Sequence, residues 1–170
     1  MKKILTLFAV VGLFAFSGCS DDDNDVDNDT ISYVFDVPNI SFTLDNEYSK
    51  SIANPSNFAS DVVLVYRSSG SEVNGNRIWK LLPETYFTDD RRLDFTYTFQ
   101  FSGDFIDIFM DGFDLEAVNA SYRLNQVFRI VIVPGSSSGS AKSINKEDYS
   151  DYNAVIKKYN IDDTKVKNLN

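Results

Sequence analysis

Leu93-Asp94-Phe95-Thr96-Tyr97-Thr98-Phe99-Gln100-Phe101 alternates apolar and polar residues without a break. The apolar side chains share one parity, and Asp94, Thr96, Thr98 and Gln100 share the other. Successive side chains of a strand point to opposite faces, so this stretch reads as a β-strand with one face in a core and one in water. Aromatic residues and threonine, which fit a pleated and half-buried surface, fill most of its positions. Such a strand needs other apolar faces to pack against, and its flanks supply them.

Downstream, Ser102-Gly103-Asp104 turns the chain into a strand from Phe105 to Met110, and Asp111-Gly112 turns it out. Ile106, Ile108 and Met110 are expected to form its inner face, which leaves Asp107 in solvent. A weaker segment runs to Tyr122. Val127 to Val133 is almost continuously apolar and reads as a central strand buried on both faces, ended by Pro134-Gly135. Gly135 to Ser140 reads as a Gly/Ser surface linker.

Upstream, Asp61-Val62-Val63-Leu64-Val65-Tyr66-Arg67 is a second central-type strand. Ser68 to Asn76, with Gly70 and Gly75, is expected to be a loop or hairpin connection, and Arg77 to Leu82 a strand carrying Trp79 and stopped by Pro83. Arg91-Arg92 reads as a solvated turn. Ile31 to Val37 alternates until Pro38-Asn39 breaks it; Ile40, Phe42 and Leu44 resume the pattern before the turn pair Asp45-Asn46. Tyr48 to Ile52 is a further strand, closed by Ala53-Asn54-Pro55-Ser56-Asn57.

The last element changes period. Tyr149, Tyr152, Val155, Ile156 and Tyr159 form one stripe of an amphipathic helix over about 148–159, expected to pack on a sheet. Asp148 and Asp151 stand near its start and Lys157-Lys158 near its end, as the helix dipole favours. The fold class expected is all-β, a mainly antiparallel β-sandwich of Ig-like or jelly-roll type with one short C-terminal α-helix, built by residues 30–170 as one domain.

Residues 1–29 belong to a different regime. Lys2 and Lys3 precede an apolar run from Ile4 to Phe16, too short to span a bilayer and placed as an export signal is. Asp21 to Asp29 then holds six acids and no base. Without the two leader lysines the net charge moves from −9 to −11, and −5 remains outside the acidic ribbon. A run of that kind buries no apolar surface and reads as a solvated tether, residues 19–29. Asp21, Asp23 and Asp25 alternate as in a calcium loop, but Val26 stands where glycine is required and Ser32 where the closing Glu belongs. No basic stripe is present to release counterions from phosphates, so nucleic acid is not an expected partner. One Cys and no His rule out disulfides and His-dependent triads within the chain, and neither metal nor cofactor is expected.

Phe16-Ser17-Gly18-Cys19 resembles the lipobox of bacterial lipoproteins. The resemblance implies a signal peptide over 1–18 and a lipidated Cys19 that begins the mature protein and holds it to the membrane. Acid directly after that Cys resembles the surface-export signal of Bacteroidetes lipoproteins, which implies an outer-membrane, cell-surface location. Asp61-Val62-Val63-Leu64-Val65-Tyr66, Trp79-Lys80-Leu81-Leu82-Pro83, Tyr97-Thr98-Phe99, Arg129-Ile130-Val131-Ile132-Val133-Pro134 and the tail Asp148 to Ile161 resemble a family of short uncharacterised lipoproteins of Bacteroidetes, flavobacteria especially. These are structural motifs, and no catalytic residue comes with them.

The function expected is therefore a non-enzymatic binding or structural module, with a carbohydrate-binding accessory as the alternative. Trp79, Tyr66, Tyr86 and Tyr97 are the aromatics to inspect for a sugar platform, set against ordinary core packing. Another envelope protein is the other partner considered, and it calls for an exposed apolar patch. An enzyme would need paired carboxylates; Asp104, Asp107, Asp111, Asp114 and Glu116 are the candidates for that, and Asp111-Gly112-Phe113-Asp114 for calcium.

Overall fold

The computed structural model describes residues 32–56, 61–135, 149–164 and 166–169. The leader 1–18, Cys19, the ribbon 21–29, the 136–140 linker and Asp148 lie outside the described residues. Among the described residues nine strands form two sheets: β1 (Tyr33–Ile40), β2 (Ser49–Ala53), β3 (Val62–Ser71), β4 (Arg77–Leu81), β5 (Glu84–Phe87), β6 (Leu93–Phe101), β7 (Phe105–Gly112), β8 (Gln126–Val133) and β9 (Lys167–Asn168). One sheet has the order β4-β3-β8-β1-β9 and the other β2-β7-β6-β5. Every pairing is antiparallel except the short β1–β9 contact. The described residues also form two α-helices, the single turn α1 (Ala120–Arg123) and α2 (Tyr152–Lys158). The fold is mainly β, an antiparallel-dominated sandwich with a short C-terminal helix.

The sandwich follows from alternation. Val63 and Val65 of β3, Phe128, Ile130 and Ile132 of β8, and Phe35 and Val37 of β1 face Phe95 and Tyr97 of β6 and Ile106, Ile108 and Met110 of β7. Each such side chain contributes about 1.5–3 kcal/mol relative to exposure. β6 supplies Phe95 and Tyr97 to the core, but Leu93 and Phe101 are half exposed because the ends of the strand leave it. The outer parity of β7 carries Asp107, which accepts a bond from Gln100 at 3.1 Å. Gly112 closes β7 beside β6; a Cβ there would stand 2.6 Å from the Asp94 carbonyl, so the approach of the two strands requires glycine.

β3 and β8 are buried on both faces. Leu64, Tyr66, Val131 and Val133 form a second apolar layer on the far side of the five-stranded sheet, under Tyr149, Tyr152 and Val155 of the C-terminal segment. Asp151 caps α2 by accepting from the Ala154 amide at 3.2 Å, and Lys157-Lys158 close it.

Three expectations are corrected. Pro38-Asn39 does not end a strand: β1 runs through it with a bulge between Val37 and Ile40. Asn39 takes the left-handed conformation (φ 60°), so Val37 and Ile40 both point inward although three residues apart. Leu44 belongs to a 3-10 turn (Leu44–Asn46) and is exposed rather than strand-borne. Third, Ser68 to Ser71 continue β3 instead of starting a loop, and β5 follows Pro83 directly, across a cis Leu82–Pro83 peptide. β5 takes the chain from one sheet to the other, an element the spacing of apolar residues does not reveal.

Candidate functional site

β3 and β4 overhang the opposite sheet. Along β3 the inner parity passes from Val63 and Val65 to Arg67, then to Ser69 and Ser71, while exposure rises toward Gly70. Where the apolar residues stop, the gap between the sheets opens into a cavity of about 630 Å3. The β3–β4 hairpin forms one wall, Tyr86 of β5 another, and Tyr122 to Gln126, around α1, a third.

Arg67 is the floor of this cavity. It is almost fully buried, and each donor has a partner: Nε to Glu84 Oε2 (2.7 Å), Nη2 to Glu84 Oε1 (3.2 Å) and to the Tyr86 hydroxyl (2.5 Å), Nη1 to Gln126 Oε1 (3.0 Å) and to the Ser68 carbonyl (3.5 Å). Its guanidinium lies over the Tyr97 ring, 4.7 Å from the centroid, a cation–π placement. Gln126 in turn donates to the Ser121 and Leu124 carbonyls, both at 2.8 Å, so the loop after α1 is bonded to the same cluster. Burial would raise the Glu84 carboxyl, but bonds from Arg67, Tyr86 and Lys80 hold it below the usual carboxylate range. Burial and the bond to Glu84 push the Tyr86 phenol well up, so it acts as a neutral donor.

At the rim the charges are less matched. Lys80 Nζ reaches Glu84 Oε1 at 3.1 Å but is half exposed. Arg77, exposed at the start of β4, donates to Ser68 Oγ at 3.3 Å and has no carboxylate partner among the described residues. Among the described residues no Asp or Glu lines the cavity. Tyr86 and Tyr122 stand 5.0 Å apart at the mouth with rings inclined by 60°.

The four aromatics singled out from the sequence are dispersed. Tyr97 is fully buried in the inner core, with its hydroxyl bonded to the Tyr122 carbonyl. Tyr66 is fully buried under the C-terminal segment and donates to the Tyr149 carbonyl at 2.7 Å. Trp79 projects from the opposite face of β4, 5.8 Å from the Tyr152 ring and beneath Arg129. Only Tyr86 lines the cavity, so the four form no common platform. Arg67, Arg77, Lys80, Tyr122 and Gln126 are among the cavity residues that the sequence did not mark. Arg67 had one signal: a charge on the inner parity at the end of an apolar run must find a partner.

The carboxylates considered for catalysis or calcium do not converge. Asp107 and Asp111 lie on the outer face of the four-stranded sheet, Asp104 in the β6–β7 turn, and Asp114 and Glu116 in the loop before α1. Among the described residues no three His, Cys, Asp or Glu side chains are grouped as a metal site. No protein-family model matches this chain, and no curated protein or solved structure matches it.

Proposed function

We propose that this protein is a cell-envelope lipoprotein, held to the outer membrane by lipid on Cys19 and exposed at the cell surface. In this reading the sandwich is a non-enzymatic module that binds a saccharide in the Arg67–Tyr86–Tyr122 cavity. The observation that carries the binding assignment is the cavity itself. Its volume is within the range of small-molecule sites, and its walls combine hydroxyl, amide and guanidinium donors with two phenol rings. Acid–base catalysis gains no support there, because the nearest carboxylate, Glu84, is committed to Arg67.

The anchor is tested by metabolic palmitate labelling of the full chain. Wild type is expected to take the label and Cys19→Ala to take none; an equally labelled Cys19→Ala would remove the tether. The site is tested by titrating immobilised glycans with detergent-solubilised full-length protein. Tyr122→Ala, which removes one phenol face, is expected to weaken binding about three- to tenfold. Unchanged affinity would place the ligand elsewhere.

A further inference from the structure

Strand pairing decides which loops share an end of the sandwich. Arg67 of β3 meets Glu84 of β5, and Glu84 stands opposite Tyr97 of β6. Beyond that level β3 runs on to its hairpin, β5 runs to Phe87, and β6 begins at Leu93. β7 ends there too, with Gly112 opposite Phe95, and so does the segment leading into β8, whose Gln126 bonds Arg67. Each of the four loops at this end carries large apolar side chains out of the core: Val73, Phe87 with Leu93, Phe113, and Leu124. Val73 and Phe113 are fully exposed, Phe87 is 64% exposed and Leu93 53%. Single exposed apolar residues are ordinary surface, but such a set on the loops of one end is not. β1 and β3 start at the other end, where Tyr33 pairs with Ile132 and Val62 with Val133, and the 19–29 tether joins there.

We propose that this end of the sandwich docks on a lipid bilayer with neutral headgroups, inserting Val73, Phe87, Leu93 and Phe113 into its interface. The tips belong to separate loops, and acids stand beside them: Glu72 before Val73, Asp89 and Asp90 after Phe87, Asp114 after Phe113. A protein partner would need one contiguous surface shaped to all of these points. A bilayer needs no matching shape, because its headgroup–acyl boundary admits separate apolar side chains while their polar neighbours stay at headgroup level. The net charge of −9 opposes an anionic bilayer, so the headgroups are neutral. With the tether at the opposite end, the bilayer reached is a second one, apposed to the membrane that holds Cys19. That direction rests on the anchor proposed above; the insertion does not, and it makes no use of the saccharide cavity.

The test is sedimentation of full-length lipidated protein, held in phosphatidylcholine nanodiscs, with sucrose-loaded phosphatidylcholine vesicles. The scaffold protein of the disc is followed, so that transfer of the anchor alone does not count. If the chain carries no lipid, it is sedimented with the vesicles directly. Wild type is expected to go down with the vesicles, and Val73→Ser combined with Phe113→Ser to lower the partition coefficient about tenfold or more. Both residues are fully exposed, so the double variant should keep the thermal midpoint of wild type, which is measured alongside. Phe105→Ser, at the tether end and 54% exposed, is expected to change nothing. Wild type left in the supernatant, or an equal loss in Phe105→Ser, would overturn the docking end. Binding only to vesicles containing phosphatidylserine, and lost at high salt, would overturn apolar insertion. Discs that pair with one another without vesicles in wild type, but not in the double variant, would replace the bilayer with a second copy of this chain. Phosphatidylcholine carries no sugar, so each of these results leaves the saccharide reading to its own titration.

Discussion

Glu84→Ala is expected to destabilise the protein by about 3–5 kcal/mol, with a fall in melting temperature of about 10 °C or more. Arg67 and Glu84 are each about nine-tenths removed from solvent, joined bidentately at 2.7 and 3.2 Å. Removing the carboxylate leaves a guanidinium in the floor of the sandwich with only the Tyr86 hydroxyl, Gln126 and a carbonyl to face. An uncompensated buried charge costs more than the lost bond alone. The pair is thus needed for the cavity and for the fold together. Replacing both residues, with Met at 67 and Leu at 84, should recover much of the loss. If Glu84→Ala and the double variant unfolded at the same denaturant concentration, the buried pair would not be what holds this end of the sandwich.

The same carboxylate sets a pH dependence. Its folded pKa lies below its unfolded value of about 4.3, so its contribution is fully present above that value and is lost as pH falls through the lower folded one. Glu84→Gln should be less stable at neutral pH yet lose less stability than wild type as pH is lowered below about 4.3. Denaturant midpoints across that acidic window are the measurement. Parallel curves for the two proteins would show that Glu84 titrates alike in both states.

Alternation made the two-sheet architecture legible because it reports which side of a strand is buried. Leu93 to Phe101 and Phe105 to Met110 are inward where their parity says so, except at their ends. Alternation does not report how far one sheet extends past the other. The candidate site depends on that difference: β3 outlasts the core beyond Arg67, and the overhang creates the cavity. Nor does it detect a four-residue strand such as β5, whose Glu84 and Tyr86 face inward as an ion pair and its neighbour rather than as apolar residues. Two buried arginines were legible in principle. Arg67 ends the apolar run that begins at Val62 and Arg129 interrupts the one from Val127 to Val133, and a charge in a strand buried on both faces requires a built partner. Which partner was not legible, since Glu84 stands on the short strand β5 that the spacing does not reveal and Asp36 lies 93 residues from Arg129.

Arg129 carries the second large effect, on the other face of the same sheet. It lies beside Asp36 in the β1–β8 register and is bonded to both its oxygens, at 2.6 and 3.0 Å. Its Nη1 donates to the Tyr152 hydroxyl at 2.6 Å, Tyr152 donates onward to Asp163, and the guanidinium stacks 4.4 Å from the Trp79 ring. α2 is two turns long, and a helix of that length is not stable by itself. It persists because Tyr152 and Val155 bury against Tyr66 and Val131 and because Arg129 bonds the first of them. Asp36→Ala should therefore cost about 3 kcal/mol or more, by leaving Arg129 with only the 3.6 Å contact to Asp163 as counterion. Asp36→Ala combined with Arg129→Met should be more stable than Asp36→Ala alone, since the apolar side chain fills the site without a charge to solvate. Native-state hydrogen exchange separates this from a general weakening. In Asp36→Ala the Val155 and Tyr159 amides should exchange through a local opening while those of β6 and β7 keep wild-type protection. Additive effects of the two substitutions, within about 0.5 kcal/mol, would mean that the pair is uncoupled and that apolar burial alone holds the helix on the sheet.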